Sequence, residues 1–172
     1  MTQPTWLPAL VPFDGDWSLL TEYVDLVYDG FVADFVRRAP PVFQGVRVSL
    51  RRRPEFEGKS YTFWHLVTEG QVEASRYPVI PRCERIRWPR AILEHAGTDP
   101  ALHIWGNRRR SDDRMLVSLP DFDYLVVLQE RGGPAPADRY NLLLTAYPVE
   151  QAHQRAKLRK ECEAWASGAT KS

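Results

Sequence analysis

The chain has 172 residues, of which 44% are hydrophobic and 26% are charged, and its formal net charge is +1. This length and composition are ordinary for one globular domain with a core of its own. The near-neutral charge excludes a protein that coats nucleic acid through a global basic field. Only four of the 23 basic residues are lysines. Arginine suits phosphate binding, although a GC-rich genome explains the same bias equally well.

The cysteines and the first residues of the chain indicate in which compartment the protein works and whether it binds a metal or a cofactor. Cys83 and Cys162 are far apart and form no CxxC motif, so we expect no zinc site, no other metal and no cofactor. No charged, apolar signal segment follows Met1, and no apolar run approaches the roughly 20 residues of a membrane span. We therefore expect a cytoplasmic protein without membrane contact. Residues 1–15, rich in proline, predict an extended arm, and residues 16–167 predict a single α+β domain.

The first two thirds of the chain predict mainly helices. Asp16 is suited to cap a long helix, which Pro40 and Pro41 would end. Its apolar stripe, at spacings of three and four, consists of Trp17, Leu20, Val24, Val27, Phe31 and Phe35. The other elements predicted here are a strand at Val42–Leu50, a helix at Tyr61–Glu69 capped by Ser60, an irregular binding segment at 71–87 and a helix from Pro89 to Ala96.

The last third changes from helical to strand-like patterning. Short links join four strand-like runs, which predict a four-stranded antiparallel sheet. These runs are Leu102–Arg108, Met115–Leu119, Tyr124–Glu130 and Asn141–Tyr147. Pro148 is predicted to start a final helix. The fold class is therefore α+β, with N-terminal helices followed by this sheet and a C-terminal helix.

Several kinds of catalytic site are excluded because their motifs are missing. The chain has no phosphate-binding loop, no GxGxxG, no GxSxG and no HExxH. Glu57-Gly58-Lys59 resembles half of a metal-nuclease site, but it lies in a predicted turn without a partner aspartate. The remaining histidine, arginine, tyrosine and threonine suit RNA cleavage without metal. That reaction needs a base, an acid and a cation beside the phosphate.

Two of the four histidines are candidates for proton transfer. His65 lies on a short helix beside Tyr61 and Thr68 and outside the apolar stripe. His153 lies in the first turn of the last helix, where the positive helix end favours the neutral form of a base. Each has an ordinary alternative as a surface or half-buried structural residue.

The candidate phosphate site is an arginine-rich segment with an aromatic residue. Arg85 is the candidate catalytic cation, and an aromatic beside arginines suits base stacking. The predicted RNA-binding residues are Arg82, Arg87, Trp88, Arg90 and, on the last helix, Lys157. The alternative is a structural Arg–Glu network that ties this segment to the sheet.

The last predicted strand has two faces. By simple alternation, Asn141, Leu143, Thr145 and Tyr147 share one face, and Leu142, Leu144 and Ala146 share the other. Thr145 and Tyr147 therefore point the same way near His153, where their hydroxyls could orient a phosphate. Equally, they could be ordinary half-buried strand residues.

These motifs together resemble a family of bacterial proteins described as phage-related. The matching segments are Phe63-Trp64-His65, Arg82-Cys83-Glu84-Arg85-Ile86-Arg87-Trp88-Pro89-Arg90, Tyr124-Leu125-Val126-Val127-Leu128 and Leu144-Thr145-Ala146-Tyr147, followed by His153 and Lys157-Leu158. The family is similar to the barnase–EndoU–colicin–RelE-type (BECR) nucleases. The resemblance implies a ribonuclease fold with its site on the open face of the sheet. It implies catalytic roles for His65, Arg85, Thr145, Tyr147 and His153.

The resemblance makes a metal-independent endoribonuclease the leading hypothesis. Such an enzyme would be an intracellular toxin that cleaves RNA by 2′-hydroxyl attack, and it would need a neutralising antitoxin or immunity protein as a partner. The alternative is a non-catalytic RNA-binding or protein-interaction module on the same fold.

Overall fold

The computed structural model describes residues 3–70, 77–109 and 112–168, which form a mixed α+β fold. This confirms the predicted α+β class. The helices in these ranges are α1 Leu20–Phe35, α2 Tyr61–Val67, α3 Ile80–Glu84, α4 Trp88–His95 and α5 Ala152–Ala166. The strands are β1 Val42–Phe43, β2 Val46–Ser49, β3 Thr68–Glu69, β4 Tyr77–Pro78, β5 His103–Arg109, β6 Asp112–Ser118, β7 Tyr124–Arg131 and β8 Tyr140–Pro148.

The main sheet in the described ranges has six strands in the order β1-β2-β8-β7-β6-β5, so the prediction of four strands is wrong. Strands β5 to β8 form the predicted antiparallel meander. Strand β2 extends it by pairing in parallel with β8, with Val48 opposite Asn141 and Ser49 opposite Leu142. A parallel pairing between strands so distant in sequence leaves no local pattern, whereas a meander does.

The predicted strand Val42–Leu50 is in fact a small hairpin. Gln44 and Gly45 have φ angles of 51° and 77°, as in the tight turns that reverse a chain between two strands. Phe43 therefore pairs with Val46 instead of continuing the strand. The prediction missed the turn because glutamine before glycine is a weak turn signal.

The first helix follows the predicted apolar stripe only from Leu20 onward. Asp16 accepts a hydrogen bond from the backbone N–H of Ser18 at 3.0 Å, but a 3₁₀ turn at Trp17–Leu19 precedes α1. Trp17 is consequently 64% exposed. The helix ends at Phe35, ahead of Pro40, because the chain must extend before the two prolines to enter β1.

The segment predicted as irregular, 71–87, contains a helix and a strand. Tyr77–Pro78 pairs with Thr68–Glu69 as a two-stranded sheet, and α3 follows directly. Pro81 lies in the first turn of α3, where proline is well tolerated, so it does not break the helix. Residues 71–76 of the predicted binding segment lie outside the described residues.

The N-terminal residues pack along the helices. The indole of Trp6 stacks on His95 at 4.2 Å and donates to Asp99 at 2.9 Å. Further along, the Trp88 indole donates to the carbonyl of Pro8 at 3.0 Å. These contacts tie the predicted extended arm to α4 and to the turn that follows it.

Helix α5 lies on the opposite face of the sheet from the core formed with α1 to α4. It begins at Ala152 rather than at Pro148, which is still the last residue of β8. No residue of α5 is fully buried, although Leu158 and Cys162 pack against a small apolar cluster around Trp105. Within the described ranges, no helix is both long and apolar enough to cross a membrane.

Candidate functional site

A groove of about 620 Å³ lies on the α5 face of the sheet. We call it the sheet groove. Its floor is the face of β5 to β8, one wall is α5, and the other wall is the chain from β3 to α3. The polar residues that line it are Glu69, Arg82, Asn107, Arg114, Thr145, Tyr147, Glu150, Gln151, Gln154, Lys157 and Glu161. Its volume is in the range of small-molecule sites, about 300–1,000 Å³.

The floor of the sheet groove is apolar in the middle. Leu116, Leu125 and Val127 come from β6 and β7, and Leu158 of α5 faces them across the groove. Polar residues lie at both ends of this apolar strip. The groove therefore offers a flat apolar surface between two hydrogen-bonding regions.

A bulge in β8 decides which of its residues face the groove. Val127 pairs with Thr145 and Leu128 pairs with Leu143, so Leu144 is an extra residue between the two pairs. Leu143 turns into the main core, while Leu144 packs on the α5 face with Tyr147. The predicted alternation is thus wrong at Leu143 and Leu144, but Thr145 and Tyr147 do share the groove side.

Arg82 joins three elements at one end of the groove. Its guanidinium donates to the carbonyl of Thr68 at 3.0 Å and lies 5.0 Å from the centre of the Tyr147 ring. The hydroxyl of Thr145 donates to the carbonyl of His65 at 2.9 Å, which fixes β8 to α2. A fixed cation therefore lies beside two hydroxyl-bearing side chains.

Helix α5 is held against β5 by Glu161. One oxygen of this carboxylate accepts hydrogen bonds from the Trp105 indole at 3.0 Å and from the Asn107 amide. At Gly106, a Cβ atom would lie 2.8 Å from the indole nitrogen of Trp165, so glycine permits the close approach of the helix. These contacts place exposed Lys157 over the groove, facing the sheet from the α5 wall.

The structure brings four of the sequence-predicted site residues into the groove: Arg82, Thr145, Tyr147 and Lys157. The two predicted histidines lie beside it. The half-buried His65 stacks on Tyr61, with ring centroids 4.0 Å apart, and contacts the site through its carbonyl. His153 is exposed one helical turn before Lys157, at the rim.

The other predicted RNA-binding residues of this segment serve the fold instead. Trp88 is 3% exposed, so its indole offers almost no surface on which a base could stack. Arg90 is 5% exposed and donates to the carbonyls of Asp34 and Ala39 and to Glu94, so it too is structural. The sequence shows a cluster of arginines, but the turn between α3 and α4 sends them to different sides.

Arg85 and Arg87 also point away from the groove. Arg85 donates to the carbonyl of Pro81 at 2.8 Å and lies over the Trp88 ring. Arg87 donates two hydrogen bonds, of 3.0 and 2.8 Å, to buried Asp34, and these raise the pKa of its guanidinium. The predicted catalytic role of Arg85 therefore finds no support in its position. Arg87 is structural, but its partner is Asp34 of α1 rather than a glutamate or the sheet.

Three residues that line the groove were not among the predicted site residues: Arg114, Asn107 and Glu161. Arg114 was outside the predicted strand, which started at Met115, whereas β6 begins at Asp112. Had the strand been extended, alternation with Leu116 would have placed Arg114 on the groove face. Glu161 had no local signal because its partners lie more than 50 residues earlier.

Comparison with known proteins adds no relative: no family model, no curated protein and no solved structure matches the chain. The resemblance to phage-related proteins and BECR nucleases thus stays a prediction.

Among the described residues, no three His, Cys, Asp or Glu side chains form a group that could hold a metal ion. Lys59, in the rejected metal-nuclease pattern, forms a 2.6 Å ion pair with Asp25.

Proposed function

We propose that the protein is a ribonuclease that binds RNA in the sheet groove and cleaves it without a metal ion. One observation carries the proposal: Arg82, Lys157, Thr145 and Tyr147, from three separate elements, line the same groove. Cations beside hydroxyl groups are the chemistry that binds and polarises a phosphodiester.

Arg82 is suited to stabilise the charge that develops on the phosphorus oxygens. Its position is fixed by the Thr68 carbonyl and the Tyr147 ring, so little reorganisation is needed when a phosphate binds. Lys157 approaches from the opposite wall as a flexible second cation. Tyr147 lines the floor beside Arg82 and contacts the phosphate, while Thr145, whose hydroxyl donates to the His65 carbonyl, fixes the strand that carries Tyr147.

The proposed reaction is an in-line transfer within the RNA. A base takes the proton of the ribose 2′-hydroxyl, and the 2′-oxygen forms a bond to phosphorus. The bond from phosphorus to the 5′-oxygen breaks, and an acid protonates that oxygen. The products are a 2′,3′-cyclic phosphate and a 5′-hydroxyl end. We assign the two proton transfers to His153 and His65, and both imidazoles would have to move into the groove to make them, because neither lines it.

A second candidate function is RNA binding without cleavage. It is favoured by the positions of the histidines, because neither imidazole lines the groove. In that case Arg82, Lys157 and the apolar floor hold the RNA, and no group completes the proton transfer.

The test is incubation of the full-length protein with total RNA, with and without excess EDTA. We expect cleavage that persists in EDTA, leaves 2′,3′-cyclic phosphate ends and disappears in a His65→Ala/His153→Ala variant that still binds RNA. Arg82→Gln should lower both cleavage and binding, whereas Arg52→Gln, at an exposed arginine outside the groove, should change neither. Binding that needs Arg82, without cleavage by the wild type, would favour the second candidate. Absence of both would reject the proposal.

The predicted toxin role extends this proposal. A ribonuclease that acts on cellular RNA would arrest growth when expressed and would require a neutralising protein partner. Growth arrest that Arg82→Gln relieves would support the role, and normal growth with an active enzyme would contradict it.

A further inference from the structure

We infer that Arg114 forms a second phosphate-binding position at the far end of the sheet groove. A ligand there would be the phosphate next to the scissile one in the same RNA strand. The inference rests on the proposed function, and it specifies the substrate as single-stranded RNA that spans the groove.

The environment of Arg114 favours the binding of an anion. Its side chain lines the groove, and its Nε atom is buried without a hydrogen bond to any described residue. Buried polar groups are nearly always paired, because an unsatisfied one is costly. Nε has almost no accessible surface, so a phosphate oxygen would reach it after a rotation of the side chain. A guanidinium fork suits two such oxygens.

The nearby carboxylates do not satisfy Arg114. Glu161 accepts from Trp105 and Asn107 instead. Asp113 pairs with Arg108 at 3.6 Å. By strand alternation Asp112 lies on the same sheet face as Arg114, yet no ion pair joins Arg114 to any carboxylate of the described residues. The guanidinium is therefore available to an anion that enters the groove.

The separation between Arg114 and Thr145, which lies near Arg82, suits about one nucleotide. Arg114 lies on β6 and Thr145 on β8, with Val127 of β7 between them, which corresponds to about 10 Å across the strands and about 7 Å along them. The long side chain of Arg114 covers part of this separation. Leu116 and Val127 form the apolar surface in between, on which one unpaired base can lie.

The groove is also too small for a duplex. A double-stranded RNA is bound across a broad surface that spans successive grooves of its helix, whereas this groove holds about 620 Å³ between α5 and the chain from β3 to α3. A base must be unpaired to reach the floor.

The test compares two substrates and three variants. One substrate is a short single-stranded oligoribonucleotide, and the other is a dinucleoside monophosphate, which has only the scissile phosphate. Arg114→Gln should lower kcat/KM for the oligonucleotide roughly 10- to 100-fold and leave the dinucleoside unchanged. Arg114→Lys should restore part of the loss. Arg108→Gln is the matched control, at an exposed arginine outside the groove, and should change neither substrate. No variant should unfold below the wild-type temperature, and Arg114→Gln can unfold above it because it removes an unsatisfied buried donor.

Binding of the same oligonucleotide with 2′-deoxy sugars separates this inference from the proposed function. If the wild type binds it but cleaves no RNA, the ribonuclease proposal fails while Arg114→Gln still tests the phosphate position. Weaker binding by Arg114→Gln, with a smaller salt dependence, supports the inference. Equal losses on both substrates, or unchanged binding and cleavage, would overturn it.

Discussion

The two faces of the main sheet are built in different ways. The face toward α1 to α4 is covered by these helices, whose large side chains are almost fully buried, among them Phe31, Phe63 and Ile92. The face toward α5 carries a smaller apolar cluster around Trp105, and an open groove lies beside it. One face therefore supplies most of the buried apolar area, which stabilises the fold, and the other face keeps space for a ligand.

Charged groups show the same contrast. On the covered face, buried Asp34 accepts two hydrogen bonds from Arg87, and buried Arg90 donates to carbonyl groups and to Glu94. On the groove face, the buried Nε of Arg114 has no such partner among the described residues. The arginines of the covered face have hydrogen-bond acceptors within the protein. An arginine with an unpaired donor marks a place where an anionic ligand can bind.

The largest expected difference between the faces is in cysteine reactivity. Cys83, in the covered core, is 0% exposed, and burial raises the pKa of its thiol to about 12. Cys162, on α5, is half-buried, and burial together with Glu163 and Glu161 raises the pKa of its thiol. Because the thiolate is the reactive form, iodoacetamide at pH 8 should modify Cys162 at least about 1,000-fold faster than Cys83, which reacts only after unfolding.

Mass spectrometry of the modified peptides measures both rates. The rate at Cys162 should keep rising with pH beyond the range of an ordinary cysteine, because a raised pKa delays formation of the thiolate. Both cysteines should react at similar rates in concentrated urea. Equal rates in the native protein would mean that the covered face opens locally, and the comparison between the faces would then fail.

A substitution in the covered core should cost far more stability than one in the groove. Phe63 is 0% exposed, and its ring contacts those of Tyr28 and Phe31, at centroid distances of 4.8 and 5.5 Å. Phe63→Ala should lower the free energy of unfolding by about 3–5 kcal/mol. Lys157→Gln, on the exposed wall of the groove, should change it by less than about 0.5 kcal/mol.

Urea unfolding followed by circular dichroism gives both values. If Phe63→Ala is too unstable to purify, Phe63→Leu keeps more of the volume and should show a smaller loss. A loss at Lys157 as large as the loss at Phe63 would show that α5 contributes to stability as much as the core does.

The elements that local pattern determines were predictable. The stripe at spacings of three and four located α1, and the Ser60 side chain does accept a hydrogen bond from Phe63 at the start of α2. The meander β5 to β8 followed from consecutive strand-like runs. The parallel pairing of β2 with β8 was missed because it depends on a distant partner, and helix α3 was missed because it begins beside prolines.

The candidate site was predictable only where one element carried it. Thr145 and Tyr147 share a strand, so their common side could be inferred from the sequence. The sequence could not show which arginines of 82–90 line the groove and which are structural. Arg82 faces the groove, while Arg90 lies under the helices. That outcome depends on where α3 ends and α4 begins. Arg114 and Glu161 acquire their roles only when α5 docks on the sheet.

Helix α5 has no fully buried residue, so we expect it to be held on the sheet less strongly than α1 to α4. A substitution at Glu161 tests this. Glu161→Ala removes the acceptor of the Trp105 indole, which belongs to a residue that is 0% exposed. An unsatisfied buried donor costs about 1–3 kcal/mol, so the free energy of unfolding should fall by that amount. Glu163→Ala makes the same change at an exposed position of the same helix and should cost less than about 0.5 kcal/mol.

The two variants also show which contacts position α5 as the wall of the groove. If Glu161→Ala loses stability and RNA affinity together, the contacts from Glu161 to Trp105 and Asn107 hold Lys157 in place over the floor. If stability falls while affinity is unchanged, the apolar contacts of Leu158 and Cys162 are enough to position α5. Equal effects of the two substitutions would contradict the proposed role of Glu161, because a general change of charge on α5 would then explain both.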